Sequence, residues 1–411
     1  MEQNLLSQEL ALRIVRRLQS AGHVGYWAGG CVRDRLMGNV PKDYDVATDA
    51  WPERVMELFP RSRKVGAAFG VVLVWQGKAQ VEVATFRTDG VYSDGRHPDS
   101  VVFTNARDDA RRRDFTCNGL FFDPVSEQLH DFVGGREDIE AKVLRAIGEP
   151  HQRFAEDHLR MLRAIRFAAR LRFQIEERTR GAIEELQSRI ELISRERIGE
   201  EIRMMLERGS RVRAMELLGS FPVLFAEVLG VKPHVGGWAV LGGVPESASR
   251  GEALMAMLMD GGMLRDKPPA EPGGTDLVRR LRTRLMLSNE ETELLLWLAR
   301  EMPRVEKWEE LSNAALKRIM AGPHWGALEM LYGADPANVE RVAAFSERVG
   351  ALRAEGVAPQ PLVTGDALIR LGVTPGPAFK GWLEALYDRQ LEGELRTEEE
   401  AMAAARRIVG E

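Results

Sequence analysis

The apolar pattern of this chain changes once, near residue 150, and that change limits the fold more than any other feature. Before it, short alternating runs read as strands. Val71-Val72-Leu73-Val74-Trp75 and Val81-Glu82-Val83-Ala84-Thr85-Phe86 predict two neighbouring strands across a Gln76-Gly77-Lys78 turn. Residues 4–21 predict an amphipathic helix, with Leu5, Leu6, Leu10, Leu12, Ile14, Val15 and Leu18 at roughly helical spacing. After residue 150 the helical period takes over. Phe154 to Arg172 reads as one long helix, with Leu159, Leu162, Ile165, Phe167 and Leu171 on its apolar face, and further helices are predicted at 176–191, 194–208 and 211–218. Asp266-Lys267-Pro268-Pro269-Ala270-Glu271-Pro272-Gly273-Gly274 reads as a linker. Helices resume from Asp276, interrupted near Pro359–Pro361 and Pro375–Pro377. No repeat recurs at a fixed period. The expected class is α+β, a head with a small mixed sheet followed by helices.

Within the head, Gly29-Gly30-Cys31-Val32-Arg33-Asp34 predicts a strand-to-helix turn with a short helix over Val32 to Leu36. A turn at Gly38-Asn39 then leads into Lys42-Asp43-Tyr44-Asp45. Strand residues two apart share a face, so Asp43 and Asp45 are expected to present two carboxylates together. Like charges that close repel unless a cation neutralises them. Mg²⁺ suits hard oxygen ligands and is usually held by one or two carboxylates plus substrate phosphates. A bare Gly-Gly backbone and the Arg33 guanidinium offer an approach for a triphosphate. Glu82 adds a third acid if its strand lies beside that of Asp43 and Asp45. The set then forms a two-metal clamp on the attacking and leaving oxygens of an in-line displacement. Solvated surface acids and an ordinary turn fit the same residues taken singly.

Composition narrows the class. The 411 residues exceed one small core, and 44% hydrophobic content supports several globular ones. No run of 18 apolar residues marks a membrane span, and the start lacks the basic and apolar regions of a signal peptide. Cys31 and Cys117 make no disulfide framework and no zinc motif. A cytoplasmic protein is expected. The net charge of −5 does not favour a nucleic-acid coat, although local patches decide binding. Arg160, Arg163, Arg166, Arg170 and Arg172 form one basic run, which fits either a solvated helix face or phosphate contacts.

The chain resembles the class II tRNA nucleotidyltransferase and bacterial poly(A) polymerase family, within the polymerase-β-like nucleotidyltransferases. Beyond Gly29–Asp34 and Lys42-Asp43-Tyr44-Asp45-Val46-Ala47-Thr48, the resemblance rests on Val81-Glu82-Val83-Ala84-Thr85-Phe86-Arg87 and Arg112-Arg113-Asp114-Phe115-Thr116-Cys117-Asn118. It continues through Glu156-Asp157-His158-Leu159-Arg160-Met161-Leu162-Arg163 and Arg195-Glu196-Arg197-Ile198. The family order implies a catalytic head over 1–150, a helical neck over 151–215, a body over 216–300 and a tRNA-binding tail over 301–411. It implies Asp43, Asp45 and Glu82 as catalytic metal ligands, with Mg²⁺ as cofactor. Gly29, Gly30 and Arg33 would hold phosphates. Arg113, Asp114 and Asn118 would lie near the sugar and phosphates, with Asp114 or Asn118 checking the ribose 2′-OH.

The resemblance also implies that Asp157 and Arg160 read the incoming base. Three apart on a helix they share a face, and the pair also fits a surface ion pair. Aspartate only accepts and arginine only donates, which matches the amino and ring-nitrogen edge of cytosine and adenine and mismatches guanine and uracil. Arg163 and Glu156 flank the pair, and Glu196 and Arg197 brace it. Thr88 to Pro98 reads as a loop, which the family links to the switch from C to A addition. The expected reaction is transfer of CMP and AMP from CTP and ATP to the 3′ end of tRNA, held by its acceptor and T-arms. The alternatives are an A-adding enzyme partnered by a CC-adding one, or a poly(A) polymerase. Lys64 to Val71 carries small residues where the polymerase has arginines. An inactive RNA-binding protein would have lost an acid, and a small-molecule nucleotidyltransferase would not need the helical half.

Overall fold

The computed structural model describes residues 2–65, 70–90, 100–234, 236–262 and 273–409. The chain packs as two compact units, residues 1–205 with 213–233, and residues 206–212 with 234–411. The first unit opens with α1 (Glu2–Ser20), β1 (Gly25–Ala28), α2 (Gly30–Leu36), β2 (Asp45–Thr48), α3 (Pro52–Leu58), β3 (Ser62–Lys64), β4 (Val71–Gln76) and β5 (Ala79–Thr85). It continues with β6 (Arg87–Asp89), β7 (Val101–Phe103), α4 (Ala106–Arg112), β8 (Leu120–Asp123), β9 (Gln128–Asp131), α5 (Gly135–Glu140) and β10 (Val143–Leu144). Among the described residues one sheet runs β3-β4-β5-β2-β1-β8-β9. β2 and β5 pair in parallel and the other neighbours antiparallel, so the sheet is mixed as expected. A parallel pair needs a crossover, here supplied by α3, β3 and β4.

Alternation sorts the two faces of this sheet. Val46 pairs with Val83, and Val74 with Val81, and these valines lie on the side covered by α1. Leu10, Ala11, Ile14, Val15 and Leu18 of α1 are buried there. On the other face Ala47, Ala28, Phe86 and Phe121 pack with Ala110 of α4. The Phe86 and Phe121 rings meet edge-on at 5.6 Å. Strands β3 and β9 carry no clear signal, because Ser-Arg-Lys and Gln-Leu-His-Asp have little apolar alternation, and β8 is a short Leu-Phe-Phe-Asp run that is apolar but does not alternate.

The first unit ends in helices α6 (Pro150–Glu156), α7 (Leu159–Leu171), α8 (Glu177–Leu186), α9 (Arg195–Leu206), α10 (Arg211–Gly219, whose first residues fall in the other unit's segment) and α11 (Pro222–Leu229), with β11 (Gln174–Ile175) parallel to β10. The predicted single helix from Phe154 to Arg172 is two. Asp157 adopts φ −151°, ψ 102°, and its carboxylate accepts the Leu159 backbone N–H at 3.1 Å. A side chain that satisfies a free N–H at a helix start stabilises the break. The apolar period survives across it, so the pattern alone did not reveal it. The helix expected at 176–191 likewise passes into a 3₁₀ segment, Gln187–Leu192.

The second unit is helical: α12 (Ala239–Gly243), α13 (Arg250–Asp260), α14 (Gly273–Leu285), α15 (Asn289–Val305), α16 (Asn313–Met320), α17 (Trp325–Ala334), α18 (Val342–Glu355), α19 (Gly365–Arg370), α20 (Pro377–Leu391) and α21 (Glu398–Val409). Reciprocal caps start α13 (Ser249 with Glu252) and α15 (Ser288 with Glu291). Ala253 to Met259 is buried throughout, making α13 a core helix. Lys317 is buried, and its ammonium is held at 3.0 Å by both Glu355 and the Leu391 carbonyl. Of the predicted linker, residues 266–272 lie outside the described residues. No described helix is long and apolar enough to cross a membrane.

Phe121→Ala would remove a fully buried ring from the head core. It should lower unfolding stability by about 3–5 kcal/mol, read as a lower urea midpoint for the first unit.

Candidate active site

Gly29 ends β1 at φ 67° and ψ −123°, a left-handed conformation natural to glycine, and α2 starts at Gly30. A Cβ on Gly29 would lie 2.9 Å from Nη1 of Arg113, so the missing side chain admits that guanidinium. Beside this turn, β2 and β5 pair with Asp45 directly opposite Glu82. Both acids are exposed on the face away from α1. Asp43 is exposed on the bend just ahead of β2, not within the strand as predicted. Between the two aspartates Tyr44 is buried, its ring edge-on to Trp27 at 4.9 Å. That anchor leaves both carboxylates at the surface.

Asp45 reaches solvent, yet the protein crowded around it strips much of its hydration. This desolvation, then the Glu82 charge, pushes its pKa up to about 6; Arg113 pulls it down and Asp43 adds repulsion. Among the described residues no three acid, histidine or cysteine side chains form a ready-made metal cage. Mg²⁺ does not require one, because substrate phosphates and water complete its shell. Crowded, under-neutralised carboxylates supply hard oxygen donors, so Asp43, Asp45 and Glu82 fit such an ion.

A chain of charge-assisted hydrogen bonds surrounds the acids. Arg113 holds Asp109 through Nε and Nη2 (3.2 and 3.1 Å) and the Asn118 carbonyl through Nη1 (3.2 Å). Asp109 is buried; burial would raise its pKa, but Arg113 and Arg112 outweigh that and hold it low. Arg33 is also buried, and it donates to Asp34 Oδ1 from Nε (2.9 Å) and Nη2 (2.7 Å) and to Asn118 Oδ1 from Nη1 (2.6 Å). Asn118 in turn donates to Asp114 Oδ1 (3.0 Å). Asp114 Oδ2 accepts two bonds from Arg163 on α7, at 3.0 and 2.7 Å. Arg163 lies 3.8 Å from Glu201 on α9, which also pairs with buried Arg166 at 2.6 Å. Asp109 and Glu201 were missed by sequence reasoning. Asp109 stands four residues before Arg113, a readable helical spacing; Glu201 carries no local signal.

Asp157 and Arg160 do not share a helical face, because Asp157 stands in the break between α6 and α7. Its Oδ2 accepts Arg197 Nη2 at 2.7 Å, while Arg160 Nη1 donates to Glu156 (2.6 Å) and to the Arg153 carbonyl (2.9 Å). Each keeps spare capacity, since a carboxylate accepts several bonds and a guanidinium carries five N–H groups. His158, between them, has a buried Nδ1 without a partner, and burial lowers its pKa. Thr88 and Asp89 of the predicted loop lie in strand β6, where Thr88 pairs with Val102; its residues 91–98 lie outside the described residues, as do 66–69 of the Lys64 to Val71 stretch.

Paired acids beside a glycine turn, on a mixed sheet followed by helices, define a nucleotidyltransferase. Residues 25–145 match the "Poly A polymerase head domain" model, and residues 172–224 match "Probable RNA and SrmB- binding site of polymerase A". The Geobacillus kaustophilus CCA-adding enzyme is 33% identical over 96% of this chain and 96% of its own. The Enterococcus faecalis CCA-adding enzyme is 44% identical over 48% of each, so there the chain spans about half the relative's length. The Bacillus stearothermophilus CCA-adding enzyme, solved in complex with CTP, superposes with a TM-score of 0.75 at 27% identity, covering 100% of this chain and 98% of that one. The chain belongs to the CCA-adding enzymes, a family of tRNA nucleotidyltransferases.

Asp114 lies below its unfolded pKa. Burial would raise it, but Arg163, Asn118 and the Phe115 N–H outweigh that and hold it at about 2. Its contribution is therefore complete above about pH 4, the unfolded value, and is lost as pH falls through about 2. Asp114→Asn should destabilise the first unit by roughly 2–3 kcal/mol at pH 7. In urea melts the gap from wild type should narrow between about pH 4 and 2, and a gap independent of pH would contradict the assignment.

Proposed function

We propose that this chain adds CMP and AMP, taken from CTP and ATP, to the 3′ end of tRNA, building or repairing the CCA terminus in the cytoplasm. The parallel pairing of Asp45 with Glu82 carries the reading, in a chain similar to a CCA-adding enzyme over 96% of its length. Asp43, Asp45 and Glu82 are the catalytic acids and metal ligands. Bound there, Mg²⁺ would supply the positive charge that activates the 3′-OH and stabilises the departing pyrophosphate. Gly29 and Gly30 give the triphosphate close backbone approach, with the Arg113 guanidinium beside Gly29 and that of Arg33 beside Gly30. Arg33 acts on the nucleotide from behind, by fixing the Asn118 amide so that its other end meets Asp114. Asp114 and Asn118 stand at the ribose.

Asp157 and Arg160 present an acceptor and a donor to the base edge. Arg197 and Glu156 hold them in place, and Arg163 ties α7, which carries Arg160, to Asp114. The direction of these groups selects cytosine and adenine without a nucleic-acid template. We assign 1–150 to the catalytic head, 151–215 to the neck, 216–300 to the body and 301–411 to the tail that receives the acceptor and T-arms by shape and phosphate contact.

The test uses tRNAs ending at the discriminator base, in C and in CC, with Mg²⁺ and CTP, ATP or both. Addition of CCA to the shortest tRNA, then arrest, is expected. A single A added only to the CC-ended tRNA would assign A addition instead, and a long A ladder would assign poly(A) polymerase. Asp43→Ala and Asp45→Ala should each lower transfer at least a thousandfold, by about 4 kcal/mol of transition-state stabilisation, while gel-shift binding of tRNA stays within about twofold. Asp157→Ala combined with Arg160→Ala should lose the preference for CTP and ATP over UTP as well as rate. Unchanged preference in single-nucleotide incorporation would remove both from base recognition.

A further inference from the structure

We propose that the head carries a second ligand site, on the sheet face opposite the catalytic acids, for a small aromatic anion. A cavity of about 400 Å³ lies between α1, the end of α3 and the end of β4, within the size range of small-molecule pockets. Its apolar wall includes Leu10 and Ile14 of α1, both buried, and Trp75 stands at its edge, 37% exposed. Three arginines complete the lining, Arg13, Arg17 and Arg61, and no aspartate or glutamate does.

These arginines are only lightly engaged by their own chain. Arg17 Nε donates to the Leu58 carbonyl at 2.9 Å, and Arg13 Nε reaches only the Glu9 carbonyl at 3.4 Å. None of the three forms an ion pair with a described residue. Of the nearby acids, Glu57 pairs with Arg54 at 2.8 Å and Glu53 with Lys64 at 2.5 Å, while Glu9, one turn before Arg13, meets it only through the backbone carbonyl. Arg13 and Arg17 are four apart on one helix, an arrangement in which like charges repel. An anion between them and Arg61 would relieve that repulsion. The apolar wall, to which Phe59 also belongs, asks for a flat, apolar body, and the guanidiniums for a phosphate or carboxylate on it. The site is also held in shape. Arg17 pins the end of α3 to α1, and the Trp75 backbone N–H donates to the Arg61 carbonyl at 3.1 Å, so the backbones of Arg61 and Trp75 are held as one fixed pair. Because Val74 lies on the α1 face and Glu82 on the other, the cavity is separated from the acids by the sheet.

Isothermal titration of the full chain with 1-naphthyl phosphate tests this. One site per chain is expected, unaffected by saturating CTP and Mg²⁺. Uncharged 1-naphthol should bind about tenfold more weakly or less, and Arg17→Met with Arg61→Met should weaken the phosphate about tenfold while leaving nucleotidyl transfer intact. Arg61→Met alone keeps the test valid if loss of the Arg17–Leu58 bond disturbs folding, because the Arg61 side chain bonds to nothing described. A parallel titration with 1-naphthoate decides between phosphate and carboxylate. Absence of saturable binding, displacement by CTP, or unchanged affinity in both variants would overturn the proposal. So would dimerisation of the ligand-free chain that Arg61→Met abolishes, since the face would then belong to a second copy.

Discussion

The site depends on the register in which β2 meets β5. With Asp45 opposite Glu82, both carboxylates fall on one face, and the valines beside them fall on the other, under α1. A slip of one residue would turn every side chain of β2 over, burying Asp45 and exposing Val46. The hydrophobic core therefore enforces the chemistry: burial of Val46, Val81 and Val83 is worth several kcal/mol in total and leaves the acids no alternative position. What results is electrostatically strained, with Asp45 pushed up to about pKa 6 by crowding and by Glu82. A cation is the natural answer to that strain.

Around the acids, polar groups do the work that apolar packing does elsewhere. Asn118 joins Arg33 to Asp114, and Asp114 joins the head to α7 through Arg163. Such buried pairs contribute modestly when complete and are costly when broken, so their value lies in geometry. They fix the orientation of a helix whose first turn carries Arg160, and they fix it relative to the elements around Gly29 and Asn118. The break at Asp157 belongs to the same arrangement. By leaving the helix, that residue gains the Arg197 partner and stands apart from the regular surface of α7.

The two faces of the sheet thus differ in charge economy. On the acidic face Arg33, Arg113 and Arg163 each hold a carboxylate. On the α1 face Arg13, Arg17 and Arg61 border an apolar cavity with no carboxylate in its lining. Arg17 also ties α3 to α1 through the Leu58 carbonyl, but the three charges meet no carboxylate in the cavity lining, which is why a ligand there is worth testing.

The sequence by itself determined the class of fold, the position of the strands bearing Asp45 and Glu82, and the glycine turn before α2. Each follows from a local period or from a backbone conformation reserved for glycine. The helical second half was legible for the same reason. The tertiary structure alone decided the rest. The break within the predicted Phe154 to Arg172 helix depends on a side-chain cap and on Arg197, forty residues away, and neither alters the apolar period. Strands β8 and β9 are short and lack apolar alternation; β8 forms on the edge that β1 offers, and β9 on the edge of β8. The partners of Asp114 and Arg166 come from other elements, and charge pairing across such distances is settled by the fold, since any carboxylate would satisfy any guanidinium until packing selects one.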